Sequence, residues 1–150
     1  MSKPIAIVAG EPNSISSEII FKSWKLRKNY THKLLFVIGS YKLLNLQKKK
    51  LKSQIKIKII NNNFKINDLK GPELPIYNIE YRQKEAFEKI SNKSNKYIFK
   101  CFEAAINLTK KNKIYGFINC PISKESLFQK KHQGITEFLS QKTGKKSNGV

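Results

Sequence analysis

Four short apolar runs rich in β-branched residues divide this chain: Ile5–Ala9, Leu34–Ile38, Ile55–Ile60 and Ile114–Ile118, with helical spacing between most of them. Strands alternating with helical patterns build βαβ units, so the expected fold class is α/β, a mostly parallel sheet with flanking helices. After the first run, Ser14, Ser16 and Ser17 offer helix N-caps. Glu18, Ile19, Ile20, Phe21, Trp24 and Leu26 then supply an apolar face with an acid in the first turn. Tyr41 to Lys50 reads as a short helix with Leu43, Leu44 and Leu46 inside. Ile55 to Ile60 alternates with lysine, as a strand near a sheet edge with one wet face does. Asn61 to Pro75 is rich in Asn, Lys, Gly and Pro and reads as a long loop, with a short strand from Leu74 to Ile79 after it. From Asn92 to Asn112 a helical pattern returns, placing Tyr97, Cys101, Ala105 and Leu108 near one face and lysines at its end. Ser123 caps a short helix through Gln129, and Thr136 caps another from Glu137 to Thr143, which Gly144 ends.

The chain has 150 residues, enough for one domain that buries roughly 70% of the surface its unfolded form exposes. A net charge of +20 raises nucleic acid as a partner. Against it, only Arg27 and Arg82 among the 30 basic residues are arginine, the side chain suited to bidentate phosphate contacts and base readout. The joint excess of Lys, Ile and Asn, as in Ile55 to Asn63, matches the drift of an AT-rich genome, and the lysines are spread along the chain as a solvated face. Cys101 and Cys120 are too few and too far apart for a CxxC pair or a zinc cluster. Cys101 reads as a small core residue, and Cys120 has no nearby base in sequence to activate it. With no signal-peptide pattern and no run long enough to span a membrane, a soluble cytoplasmic protein is expected. Lys145 to Val150 leaves a helix as if to enter another strand, so the domain reads as unfinished.

Two polar loops follow strands directly, where an open α/β sheet forms its ligand crevice. Gly10-Glu11-Pro12-Asn13 leaves the first strand, and Asn119-Cys120-Pro121-Ile122-Ser123-Lys124 leaves the last. A compact turn, Gly134-Ile135-Thr136-Glu137-Phe138, comes soon after. These three motifs, in this order, resemble the N-terminal part of 4-hydroxythreonine-4-phosphate dehydrogenases, the PdxA family of vitamin B6 biosynthesis. There the first strand leads into Gly-Glu-Pro followed by Gly-Ile-Gly-Pro-Glu, a later one into Gly-Pro-Val or Ala-Pro-Ile with a lysine two residues on, and then comes Gly-His-Thr-Glu-Phe. The resemblance covers essentially the whole chain but about half of a family member, which implies that residues 1–150 are a single α/β region, the N-terminal part of a longer two-lobed enzyme.

The resemblance implies a fold like isocitrate and isopropylmalate dehydrogenases, a homodimer, and NAD-linked oxidation of 4-phosphohydroxythreonine followed by decarboxylation. It also implies a divalent metal held by histidines of later segments; His32 and His132 match none of them, so no metal ligand is assigned here. Among seven glycines there is no GxG, so a Rossmann fingerprint is missing and NAD binding falls outside that scheme. Carried over position by position, Thr136 is a retained substrate contact, and Ile135 stands where the family has a substrate-contacting histidine, without its hydrogen-bonding chemistry. His132, three residues before Ile135, is read as a solvated loop histidine in preference to a replacement contact. Ser14-Ile15-Ser16-Ser17-Glu18 replaces Gly-Ile-Gly-Pro-Glu, putting side chains where glycines allow close backbone approach.

Each remaining candidate has a plainer reading. Glu11 either orients substrate or simply leaves the sheet in a turn. Lys124, at the start of a helix, either binds an anionic phosphate or carboxylate or is one more surface lysine. Glu137 complements a helix dipole. The readings that stand are a PdxA-like dehydrogenase present as its N-terminal piece, a non-catalytic α/β scaffold of the same family, for which Ile135 is the support, and a basic nucleic-acid-binding domain.

Overall fold

A computed structural model describes residues 2–128 and 135–144. His132, Gly134, the end of the helix expected through Gln129 and the strand entry expected at Lys145 to Val150 lie outside the described residues.

Among the described residues five strands form one sheet in the order β3-β4-β2-β1-β5, every pairing parallel. They are β1 (Ile5–Val8), β2 (Leu35–Gly39), β3 (Ile57–Ile60), β4 (Leu74–Asn78) and β5 (Gly116–Asn119). The helices are α1 (Ser16–Leu26), α2 (Tyr41–Lys50), α3 (Asn95–Lys110), α4 (Lys124–Phe128) and α5 (Ile135–Thr143). The lysine-bearing strand is indeed an edge, whereas the short strand after the long loop is internal, between β3 and β2. That loop holds a 3-10 turn, Ile66–Leu69, whose Leu69 is buried with Phe64.

Strand alternation sorts side chains onto two cores. Ala6, Val8, Phe36 and Ile38 meet α3, α4 and α5 on one face. Ala9, Val37, Leu74 and Ile76 meet Ile20, Phe21 and Trp24 of α1 and Leu44 of α2 on the other. The helical periodicity of α3 is confirmed, with Tyr97, Cys101, Ala105 and Leu108 all buried.

Three local expectations are corrected. The serines do not cap α1 as N-cap residues: Ile15 holds that position without a side-chain bond, and Ser16 and Ser17 are buried inside the helix. Ser14 still satisfies an orphan donor, because its Oγ accepts the Ser16 N–H at 3.3 Å. In α2 the third buried residue is Gln47 rather than Leu46, because its amide ties two distant carbonyls described below. In α5 the helix already begins at Ile135, so Thr136 is its second residue and not its cap. Gly144, with φ of 71°, ends α5 as a left-handed glycine does.

A candidate functional site where the strand order reverses

From β1 the chain moves toward β2, but the chain leaving β4 crosses over to β5 on the opposite side of β1. The carboxyl ends of β1 and β5 therefore flank a topological switch point, where open α/β sheets place their ligands. Both loops singled out in the sequence leave the sheet there, and they are joined to each other. Glu11 N donates to Pro121 O at 2.9 Å and Cys120 N to Val8 O at 2.9 Å. Ser16 Oγ, in the first turn of α1, donates to the same Pro121 carbonyl at 3.4 Å. Gly10 makes the approach possible: its φ is 74°, and a Cβ there would lie 2.5 Å from Pro121 O and 2.8 Å from Cys120 O. Thus Ser16 stands where the family resemblance has glycine, and its hydroxyl fills that approach.

Glu11 is 1% exposed. Its Oε1 accepts the Asn13 N–H at 3.1 Å. Burial pushes its pKa above the ordinary carboxylate value, partly offset by the Asn13 amide and the nearby Ser94 hydroxyl. Ser94 Oγ does not complete a standard hydrogen bond with it; Ser94 Oγ, Ser17 Oγ and Asn95 Oδ1 are all buried without a partner. Asn13 carries the connection onward, its Oδ1 accepting from Gln83 Nε2 at 2.7 Å and from Glu88 N at 2.8 Å. Gln47 Nε2, equally buried, donates to Pro12 O at 2.6 Å and Ala86 O at 2.9 Å. A strap of residues 81–88 is thereby tied to the Gly-Glu-Pro loop. Its start is held by Tyr81, stacked on Tyr97 with centroids 4.7 Å apart. Ser40 N donates to Tyr97 Oη at 2.9 Å and Ser40 Oγ to Tyr81 O at 2.8 Å.

The sign of the Glu11 shift sets a pH dependence. A carboxyl whose folded pKa is raised holds its proton more tightly when folded, so its contribution to stability is full below the unfolded value and declines as pH rises through the folded one. Glu11→Gln keeps an acceptor for Asn13 and removes that decline. The variant is expected to be more stable than the parent at about pH 8 and to close the gap near pH 4, as measured by urea unfolding at both. Equal destabilisation at both pH values would refute this reading.

The other candidates are placed as follows. Lys124 is the exposed first residue of α4. Ser123 does support that helix, its Oγ accepting from Ser126 N at 3.3 Å. Ile135 is half-buried against the α3-side core, and Thr136 beside it is exposed. Phe138 anchors α5, with ring centroids 5.0 Å from Phe99, 6.0 Å from Phe102 and 5.8 Å from Phe128. Burial raises the Cys120 thiol to about 11 and the Cys101 thiol to about 12, so neither is an activated thiolate at neutral pH. Among the described residues no cluster of three His, Cys, Asp or Glu can hold a metal, and no helix is long and apolar enough to cross a membrane. Sequence reasoning missed Asn13, Gln47 and Gln83, because their partners lie 35 to 75 positions away and polar residues of these types carry no periodic signal.

The sequence and the fold have relatives among known proteins. The chain is 26% identical over 144 residues to a 4-hydroxythreonine-4-phosphate dehydrogenase of Zymomonas mobilis, covering 95% of this chain and 42% of that protein. A dehydrogenase of the same name from Caulobacter vibrioides is 27% identical over 145 residues, with the same coverage. The crystal structure of a 4-hydroxythreonine-4-phosphate dehydrogenase from Burkholderia phymatum shares the fold at a TM-score of 0.83 and 21% identity, over 98% of this chain and 45% of that one. The chain thus spans less than half the length of the relatives it matches. Since the sequence profile of pyridoxal phosphate biosynthetic protein PdxA matches residues 31–150, taking in β2 through α5 and the loop after β5, the chain belongs to the PdxA family.

Proposed function

We propose that this chain is the N-terminal part of an NAD-dependent, metal-assisted dehydrogenase acting on 4-phosphohydroxythreonine in pyridoxal phosphate biosynthesis, and that it supplies one wall of the substrate site. The observation that carries this reading is the junction of the Gly10 to Asn13 and Cys120 to Lys124 loops at the switch point of a PdxA-family sheet. In this reading Thr136 and Lys124 face the phosphorylated substrate, Lys124 as a cation for its anionic groups. Glu11 acts by holding its loop in shape, since its carboxyl is buried and bonded to Asn13. Ile135 occupies a substrate-contact position with a side chain that neither donates nor accepts.

The described residues do not fit a metal centre, and with no Gly-x-Gly the chain lacks the usual pyrophosphate-binding turn. In this reading the family's metal ligands and the larger part of its NAD contacts belong to the portion of the family fold outside residues 1–150, together with the contacts of a complete homodimer. Cytoplasmic residence follows the same reading.

The test compares residues 1–150 with a chimera that joins them to the remaining portion of the Zymomonas mobilis enzyme. The fragment is expected to form no NADH from 4-phosphohydroxythreonine, whereas the chimera does. Ile135→His in the chimera is expected to lower KM by about tenfold, the value of one hydrogen bond to a charged group. Turnover by the fragment overturns the assignment of the cofactor sites. A folded chimera without turnover, unrescued by Ile135→His, favours the second reading, a non-catalytic scaffold of the family, which the apolar Ile135 supports.

A further inference from the structure

Between the Gly-Glu-Pro loop and the first turn of α1 lies a small cavity whose lining residues are all buried. Its volume is about 10 Å³, close to the ~10 to 15 Å³ that one water molecule requires. Ala9, Ile20, Leu43 and Leu44 give it an apolar side. Most of its polar wall is already engaged. Gln47 Nε2 donates to Pro12 O and Ala86 O, Ser16 Oγ is bonded to Ser14 Oγ and Pro121 O, and Tyr97 Oη accepts the Ser40 N–H. Ser17 is different. It is 2% exposed, and its Oγ finds no hydrogen-bond partner among the described residues. A buried hydroxyl left in that condition lowers stability, because it has given up its bonds to water without replacement. Glu11 lines the same cavity. Asn13 N–H occupies its Oε1, but a carboxyl has further bonding capacity on its two oxygens.

We propose that this cavity is a binding site for one structural water, held between Ser17 Oγ and the Glu11 carboxyl, and that the water ties α1 to the Gly-Glu-Pro loop. Cavities that stay empty are apolar, whereas this one presents an unpaired hydroxyl and a carboxyl to a space of the right size. A water both donates and accepts, so it serves the carboxyl in either protonation form, including the protonated one that burial favours at Glu11. A cation is the poorer occupant. One carboxyl and one hydroxyl fall short of the ~6 oxygens that a hard cation takes, and a chain of net charge +20 opposes a further positive ion. The site is this chain's own and not a property of the family motif, because Ser17 stands where the Gly-Ile-Gly-Pro-Glu pattern has proline, which carries no hydroxyl.

The experiment uses the whole 150-residue chain and reads no activity, so its failure is separate from failure of the enzymatic reading. Ser17→Ala tests the site by the sign of its effect. With the water in place the variant loses a bridged hydrogen bond, and the unfolding equilibrium constant from urea titration is expected to rise about three- to tenfold. That rise is expected even though alanine favours a helix more than serine does. In a dry cavity the same change deletes an unpaired buried hydroxyl, and the constant falls. A high-resolution crystal structure of the chain is expected to show a single density peak about 2.5 to 3.0 Å from both Ser17 Oγ and a Glu11 carboxyl oxygen. Replacing sodium chloride by choline chloride at equal ionic strength is expected to leave the stability unchanged. A cavity without density, a Ser17→Ala variant as stable as the parent or more so, or a stability that follows the identity of the monovalent cation overturns the proposal.

Discussion

Gly10→Ala is expected to destabilise the fold by about 2 to 5 kcal/mol and to separate the two loops at the switch point. Two costs combine. The residue sits at φ 74°, where a side chain adds about 1 to 2 kcal/mol. In addition, its Cβ would be 2.5 Å from Pro121 O and 2.8 Å from Cys120 O. Those are backbone atoms, so no rotamer change relieves the contact; one loop has to move, and the Glu11 N to Pro121 O bond goes with it. Against a total stability of about 5 to 15 kcal/mol, this is a large fraction. Gly116→Ala is the control, since nothing lies within 4 Å of its Cβ position. Urea unfolding of both variants checks the prediction; comparable midpoints would show that the loop junction is not rigid.

Phe102→Ala is expected to cost about 3 to 5 kcal/mol, the range for deleting a fully buried aromatic ring. Phe102 is 0% exposed. Its ring meets Phe138 at 6.0 Å and Phe117 at 6.4 Å, both edge to face, so it joins α3 to α5 and to β5 at once. Its loss removes buried apolar area and leaves a cavity that three separate elements would have to shift to fill. The expected result is a lower urea midpoint with faster amide exchange in α5 than in α2, because α5 is held mainly through this aromatic group. Uniform acceleration across both helices would contradict that account.

The residues that carry the fold were legible where they repeat. The apolar runs at Ile5, Leu34 and Ile114 announced internal or edge strands to within two residues, and the helical face of Tyr97, Cys101, Ala105 and Leu108 was read correctly, because burial imposes a period that local sequence displays. The Gly-Glu-Pro and Cys-Pro-Ile-Ser-Lys loops could be recognised as strand exits and as family motifs. Capping at α1 and α5 was misread, since Ser and Thr fit a cap and a first helical turn almost equally well and the choice depends on what they touch.

By itself, then, the sequence determined the α/β alternation, the lysine-guarded edge and the family to which the chain belongs, all properties written in spacing along the chain. Only the tertiary structure decided that the two loops bond to each other, that Glu11 is buried, and that β5 pairs with β1 at the end of the sheet opposite β3. Those outcomes depend on strand order and crossover direction, which bring residues 35 to more than 100 positions apart into contact and which no local pattern encodes.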